Sequence, residues 1–297
     1  MPRVDWKAVH DDDFRVPTHL ALADLTTELT QMLGDPDPRR RDELALPVLV
    51  TWIQRGVYDD LLPGLGDGMA AGLRVGLGER GTDTVFRRSF SVLVLSVCIE
   101  RDTERPLVPG GKVLDWADRV ATWLLAEQDV RGYVPGKGWA HAVAHGADAV
   151  GALAASPHFG APELTVLLDV LGERVVGHVE HLFVNHEADR LALATVALLR
   201  RERVPFDVLE AWLDRLVSTA IQRSRSTRLH RDPDLDTGNL DLYLRALYLQ
   251  LAIGPRPPAT RADLLLLLVD SLRALNTPFL GAPDRRTAVH RRSVPGA

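Results

Sequence analysis

The sequence contains a single cysteine, Cys98, in 297 residues. One thiol cannot close an intrachain disulfide, so a disulfide scaffold and a metal site built only of cysteines are excluded. Long apolar runs are also missing, because the longest, 90–99 and 264–269, fall well short of the roughly 20 residues that span a bilayer. The first residues are charged and lack the apolar segment of a signal peptide. We therefore expect a soluble, cytoplasmic protein that does not bind membranes.

Lysine is scarce and occurs only at positions 7, 112 and 137, so nearly all basic side chains are arginines. A GC-rich genome explains this bias, and a function specific to guanidinium groups is the alternative. The formal net charge is −5, from 35 basic and 40 acidic residues. Nucleic-acid-binding domains usually have a basic balance or a basic stripe. We therefore do not expect a nucleic acid as partner.

The hydrophobic pattern is helical along most of the chain. Between Thr18 and Leu33 leucines recur at the spacing of one helix face, and Gly34 ends the pattern. A second helix is predicted from Pro38 to Gly56, with a kink at Pro47. The same reasoning predicts further helices at about 59–78, 82–101, 111–129, 139–155, 162–182, 186–202, 205–224, 236–253 and 259–275.

Many helices joined by short loops predict an all-α fold with antiparallel neighbours, either a closed bundle or an open stack of hairpins. The stretch 33–44, with its glycine, Asp-Pro turn and arginines, resembles a HEAT repeat. We therefore predict a HEAT-like α-solenoid of antiparallel helical hairpins. The predicted domains are an N-terminal arm (1–17), a single helical-repeat domain (18–277) and a flexible basic tail (278–297).

Six of the ten histidines lie between positions 141 and 186. On a helix beginning near Trp139, helical spacing places His141, His145 and Asp148 on one face. Imidazole and carboxylate groups that converge in this way can bind a metal ion. The zincin motif, however, has a glutamate directly after its first histidine, and here that residue is Ala142. A buried polar seam, a polar ligand site and a metal site all remain open.

A second polar cluster comprises 178–181 and 185–190. Asn185 and Asp189 are suited to helix capping. Alternatively, His186, Glu187 or Asp189 faces the His141 helix, and Arg131 and Lys137 bring positive charge to the same place. No Gly-x-Ser-x-Gly or phosphate-loop motif is present.

The stretches 86–93, 138–148 and 186–190 resemble the bacterial family catalogued as domain of unknown function 2785. The resemblance covers about residues 20–255 and implies a helical-repeat fold without a settled activity. It also marks polar and aromatic positions as site candidates: Arg87, Arg88, Trp139, His141, His145, Asp148 and Asp189. A general similarity to HEAT-like DNA glycosylases is opposed by the acidic charge balance.

Three functions follow as hypotheses. The first is a binding protein without a cofactor, whose concave side holds a small polar ligand or a peptide. Its predicted ligand-binding residues are His141, His145, Asp148, Trp139, Lys137, Arg87, Arg88 and Asp189. The second is a hydrolase or lyase dependent on a divalent metal, with His141, His145, Asp148 and His186 as ligands. The third is a protein–protein scaffold.

Overall fold

A computed structural model describes residues 4–226, 232 and 234–281, and 69% of these residues are helical. The only sheet in this part of the chain is an antiparallel pair of two-residue strands, so the all-α prediction is confirmed. The helices are α1 Trp6–Asp11, α2 Leu22–Met32, α3 Leu46–Gln54, α4 Leu62–Gly72, α5 Thr84–Glu104, α6 Gly110–Ala126, α7 Ala142–Ala155, α8 Ala161–Val176, α9 Glu187–Leu199, α10 Phe206–Ser226, α11 Asp234–Ile253, α12 Arg261–Leu275 and α13 Thr277–Leu280. The strands are β1 Tyr133–Val134 and β2 Gly138–Trp139.

Successive helices from α4 to α12 alternate between two rows. In one row α5 contacts α7, α7 contacts α9 and α9 contacts α11. In the other, α4, α6, α8, α10 and α12 contact one another in that order. Long-range contacts show that α7 and α9 run in the same direction, because residues near the start of α7 meet the start of α9 and the end of α7 meets Arg201. Helix starts in this row therefore lie side by side.

Helix α7 occupies the middle of its row and is almost entirely buried. Small residues allow its neighbours to approach closely. A Cβ atom added to Gly146 would lie 2.7 Å from Leu124, and one added to Gly151 would lie 3.5 Å from the backbone of Ala194. The alanine- and glycine-rich sequence of α7 thus fits a central helix that packs against both rows.

The helix type changes just before Pro47 in the sequence. The segment Arg39–Ala45 forms a π-helix that continues directly into α3, and Pro47 lies in the first turn of α3. A proline lacks the N–H needed inside a regular helix but is tolerated in a first turn. The sequence predicted a kink within one helix, whereas the structure has two helical segments of different type.

Arginines connect neighbouring hairpins. Arg174, near the end of α8, donates to the Leu124 and Glu127 carbonyls at the end of α6, at 3.2 and 2.9 Å. Arg201, after α9, donates to the Ala154 and Ser156 carbonyls at the end of α7. The last carbonyls of a helix have no partner within the helix, so a guanidinium group with several donors can satisfy them.

The predicted N-terminal arm packs against α3. In the predicted N-terminal arm, Trp6 is buried against Trp52, with ring centroids 6.2 Å apart. Of the predicted basic tail, residues 282–297 lie outside the described residues.

Cys98 is buried within α5, as its apolar neighbours predict. None of the helices in the described ranges is both long enough and apolar enough to cross a membrane.

Candidate functional site

A short hairpin brings His141 to the start of α7. Strands β1 and β2 pair, and beyond them the backbone N–H groups of Ala140 and His141 donate to the carbonyls of Gly132 and Arg131. These bonds hold His141 in the left-handed conformation, with a φ of 49°. The prediction of a helix from Trp139 is therefore wrong by three residues. Trp139 belongs to β2, and His141 precedes the first helical residue.

The His141 ring lies between a tryptophan and a neighbouring loop. It stacks on the Trp139 indole with centroids 4.3 Å apart and planes inclined by 22°. Its Nε2 lies 3.0 Å from the Asn185 carbonyl oxygen, which can only accept, so Nε2 carries the proton and Nδ1 is the acceptor. Burial lowers the pKa of His141, which keeps the ring neutral at pH 7.

His145 lies one helical turn further in and is 7% exposed. Its Nδ1 is 2.8 Å from Ser89 Oγ, and the Ser89 hydroxyl also bonds the Ala140 carbonyl. The single hydroxyl proton goes to that carbonyl, so His145 Nδ1 is the donor in its own bond to Ser89. Burial, aided by His141 and Arg190 nearby, lowers the pKa of His145 to about 3. The rings of His141 and His145 meet edge to face, with centroids 5.8 Å apart.

Asp148 binds an arginine. Arg190 of α9 donates from Nε to Asp148 Oδ1 at 2.6 Å and from its terminal nitrogen to Oδ2. Burial nevertheless raises the pKa of Asp148, because it outweighs the lowering effect of Arg190. The two histidines predicted to share a face are therefore in contact, while the carboxylate serves to connect α7 with α9.

The other predicted site residues have partners of their own. Arg88 is buried and binds the Glu127 carboxylate through two bonds of 2.5 and 2.9 Å. Arg87 donates to the Thr30 carbonyl, and the Lys137 ammonium binds the Asp83 carboxylate at 2.6 and 2.8 Å. Within the described residues, no hydrogen bond joins Arg87 or Arg88 to the histidine pair.

His186 and Asp189 lie at the start of α9. The His186 side chain is 81% exposed, and its Nδ1 is 3.4 Å from Asp189 Oδ2. His186 has a left-handed φ of 68° and directly precedes α9, as His141 directly precedes α7. These two histidines with left-handed backbone conformation are 45 positions apart in the sequence. This spacing is typical of one repeat in a helical array.

The donor atoms do not converge as metal ligands would. Within the described part of the chain, no group of three or more His, Cys, Asp or Glu residues is arranged to hold a metal ion. Asp148 is bonded to Arg190, and the His186 side chain extends into solvent. A metal site that includes Asp148 would require this carboxylate to leave Arg190, and the metal site suggested by the sequence stays a prediction.

Ser89 and Tyr133 are neighbours of the histidines that sequence reasoning did not single out. Ser89 lies in the stretch that carried the family resemblance, but no local pattern distinguishes it from other serines of an apolar helix. Tyr133 meets Trp139 directly across the hairpin, with centroids 5.0 Å apart. Glu187, one of the residues that the sequence offered as facing the His141 helix, lies at this site, with its Oε1 4.0 Å from His141 Nε2.

The fold and this site together define an all-α protein whose helices alternate between two rows and whose contacting histidines lie at the start of a central helix. The family model described as "Protein of unknown function (DUF2785)" matches residues 73–249, which is more than half of the chain. The chain belongs to this family. The matched range contains the hairpin, both histidines and Asp148. Comparison with curated proteins and with solved structures gave no match.

Proposed function

We propose that this chain is a HEAT-like helical-repeat binding protein that takes a small polar ligand or a peptide at an aromatic platform formed by Tyr133, Trp139 and His141. The observation that carries the proposal is the position of Trp139. Its indole is 40% exposed although it stacks on a histidine whose backbone is left-handed. Burial stabilises most large aromatic side chains, and an exposed one held in fixed geometry is typical of a binding surface.

The left-handed backbone strengthens the argument. A non-glycine residue in this conformation costs on the order of 1 kcal/mol, and such strain is concentrated at functional sites. The bonds from residues 140 and 141 to Gly132 and Arg131 maintain it. The hairpin therefore orients the platform before any ligand arrives, which reduces the entropy lost on binding.

The chemistry of the platform favours a flat, cationic group. Tyr133, 53% exposed, extends the aromatic surface beside Trp139. His141 is neutral, so it does not repel a cation, and the Glu187 and Asp189 carboxylates lie at the adjacent start of α9. Guanidinium and ammonium groups bind the faces of indole and phenol rings. An arginine side chain of a peptide, or a small amine, has this chemistry.

The repeat arrangement sets where such a ligand binds. A stack of helical hairpins is supported by the two rows of helices. It is also supported by the 45-residue interval between His141 and His186, which share a left-handed backbone conformation. The starts of α7 and α9 lie together at one edge of their row. We accordingly place the site at this edge rather than on a concave side.

Titration with arginine amide, followed by calorimetry and by the Trp139 indole N–H resonance, tests the proposal. We expect saturable binding that shifts this resonance, and loss of binding in Trp139→Ala. Phe279→Ala is the matched control, because Phe279 is an exposed aromatic residue far along the chain. Binding that survives Trp139→Ala, or failure of arginine amide, small amines and arginine-containing peptides alike to bind, would overturn the proposal.

A further inference from the structure

A separate cavity of about 250 Å³ lies beyond the hairpin. Three segments line it: the loop before α5, the segment between α6 and β1, and the end of α8 with the loop that follows. Three arginines contribute to its wall, namely Arg80, Arg131 and Arg174.

Two of these arginines have carboxylate partners. Arg131 binds Asp129, with its Nε 2.8 Å from Oδ1 and a terminal nitrogen 2.6 Å from Oδ2. Arg80 binds Glu180 at 2.6 Å, and both side chains of that pair are about half exposed. The positive charges of Arg80 and Arg131 are therefore neutralised within the wall.

Arg174 differs from them. It is 5% exposed, and one of its terminal nitrogens donates to both the Leu124 and the Glu127 carbonyls. Its Nε is buried without a hydrogen-bond partner in the described structure. The nearby Glu127 carboxylate binds Arg88 through both oxygens and attracts Arg174 only through space, without a side-chain hydrogen bond to it.

The positive charge of the Arg174 guanidinium group is therefore only partly compensated. Buried charges in proteins are nearly always paired, because an unpaired ion pays a large desolvation cost. Burial lowers the pKa of Arg174, but a guanidinium group stays protonated at neutral pH. Carbonyl oxygens at the end of α6 supply only partial negative charge. A negatively charged ligand in the cavity would complete the compensation.

We propose that this cavity binds the oxyanion group of a small molecule, a carboxylate or a phosphate, with Arg174 as its main cationic contact. Planar guanidinium groups bind both anions with paired hydrogen bonds. The cavity volume lies just below the range of about 300–1,000 Å³ for drug-sized ligands, so an anion with few heavy atoms fits best. Arg80, half exposed, is placed to turn from Glu180 toward a bound anion.

The test uses the full-length protein and two probes, inorganic phosphate and acetate, at constant ionic strength maintained with sodium chloride. Calorimetry and melting temperature report binding. We expect saturable binding of at least one probe by the wild type. Arg174→Gln should weaken that binding by about 10- to 100-fold, the usual effect of losing a charge-assisted hydrogen bond.

Arg201→Gln is the matched control, because Arg201 also donates to helix-end carbonyls but does not line the cavity. It should lower the melting temperature and leave anion binding unchanged. If Arg174→Gln does not fold, Arg174→Lys retains the charge without the planar geometry and should still weaken binding. Anion binding equal in wild type and both Arg174 variants, or no saturable binding of either probe, would overturn the proposal. Trp139→Ala should retain anion binding, which separates this result from the platform proposal.

Discussion

His145 Nδ1 lies 2.8 Å from Ser89 Oγ, and this bond joins the interior of α7 to α5. The Phe90 ring meets the same imidazole edge to face, with centroids 5.2 Å apart. His141, four residues earlier, instead contacts a partly exposed indole and the loop before α9. The two histidines are in contact, yet His145 is buried between α7 and α5, whereas the His141 side chain is partly exposed beside the hairpin. Substitutions of His145 and of His141 should therefore change the stability of the protein for different reasons.

His145→Ala should lower the free energy of unfolding by about 2–4 kcal/mol, because it removes a buried hydrogen bond and leaves a cavity beside Phe90. Urea denaturation at pH 7.5 measures the change. His186→Asn is the control, since the His186 side chain is exposed and asparagine tolerates a left-handed backbone. Surface substitutions usually change the free energy of unfolding by less than about 0.5 kcal/mol. A decrease of that size in His145→Ala would contradict a stabilising role for His145 in the core.

Stability should decrease in mild acid because of His145. The pKa of this residue falls from its ordinary value of 6.5 to about 3 in the folded protein. Between these values the unfolded chain binds a proton at this position that the folded chain does not, so stability is complete above pH 6.5 and falls as the pH falls. One such group contributes a slope of up to about 1.4 kcal/mol per pH unit. Unfolding curves from pH 7.5 to 5 should show a shallower dependence in His145→Gln than in wild type or His186→Asn.

His141→Gly should be more stable than His141→Ala by about 1 kcal/mol. Both variants lose the bond to the Asn185 carbonyl and the stacking on Trp139, so the comparison isolates the backbone. Glycine adopts a φ of 49° without steric cost, whereas alanine does not. Chemical denaturation of the two variants measures the difference. Equal stabilities would show that the left-handed conformation is not maintained in solution.

Cys98 should not react with thiol reagents in the native protein. It is fully buried in α5, and burial raises the pKa of its thiol, so the reactive thiolate is scarce. Labelling with a disulfide reagent should proceed only as fast as the protein unfolds and should become rapid in urea. Rapid labelling of the native protein would show that α5 is not packed as described here.

Zinc should not stabilise the protein through the histidine pair. A metal ion bound by both histidines and Asp148 would have to displace Arg190 from Asp148. We expect no difference between wild type and His141→Gly in the melting-temperature shift that added zinc produces. Stoichiometric metal in the purified protein, lost in that variant, would instead support the hydrolase or lyase hypothesis.

Many arginines in this protein serve as connectors between helices. Arg174 and Arg201 donate to helix-end carbonyls of a neighbouring hairpin, and Arg41 donates to the Lys137 carbonyl 96 positions away. Arg41 also lies over the Phe86 ring, 4.1 Å from its centroid. Lysine has neither the planar fork nor several fixed donors, so it would replace these contacts poorly. The low lysine content thus has a structural counterpart.

Local patterns in the sequence determined most of the helices and the burial of Cys98. Apolar periodicity reports which face of a segment is buried, and that information is present within ten to twenty neighbouring residues. Only the tertiary structure decided that His141 lies outside its helix, because the carbonyls of Gly132 and Arg131 hold it there. It also decided the partners of His145 and Asp148, which are Ser89 and Arg190. The partner of a buried polar group depends on which distant segments packing brings within hydrogen-bonding distance, and no local pattern carries that information.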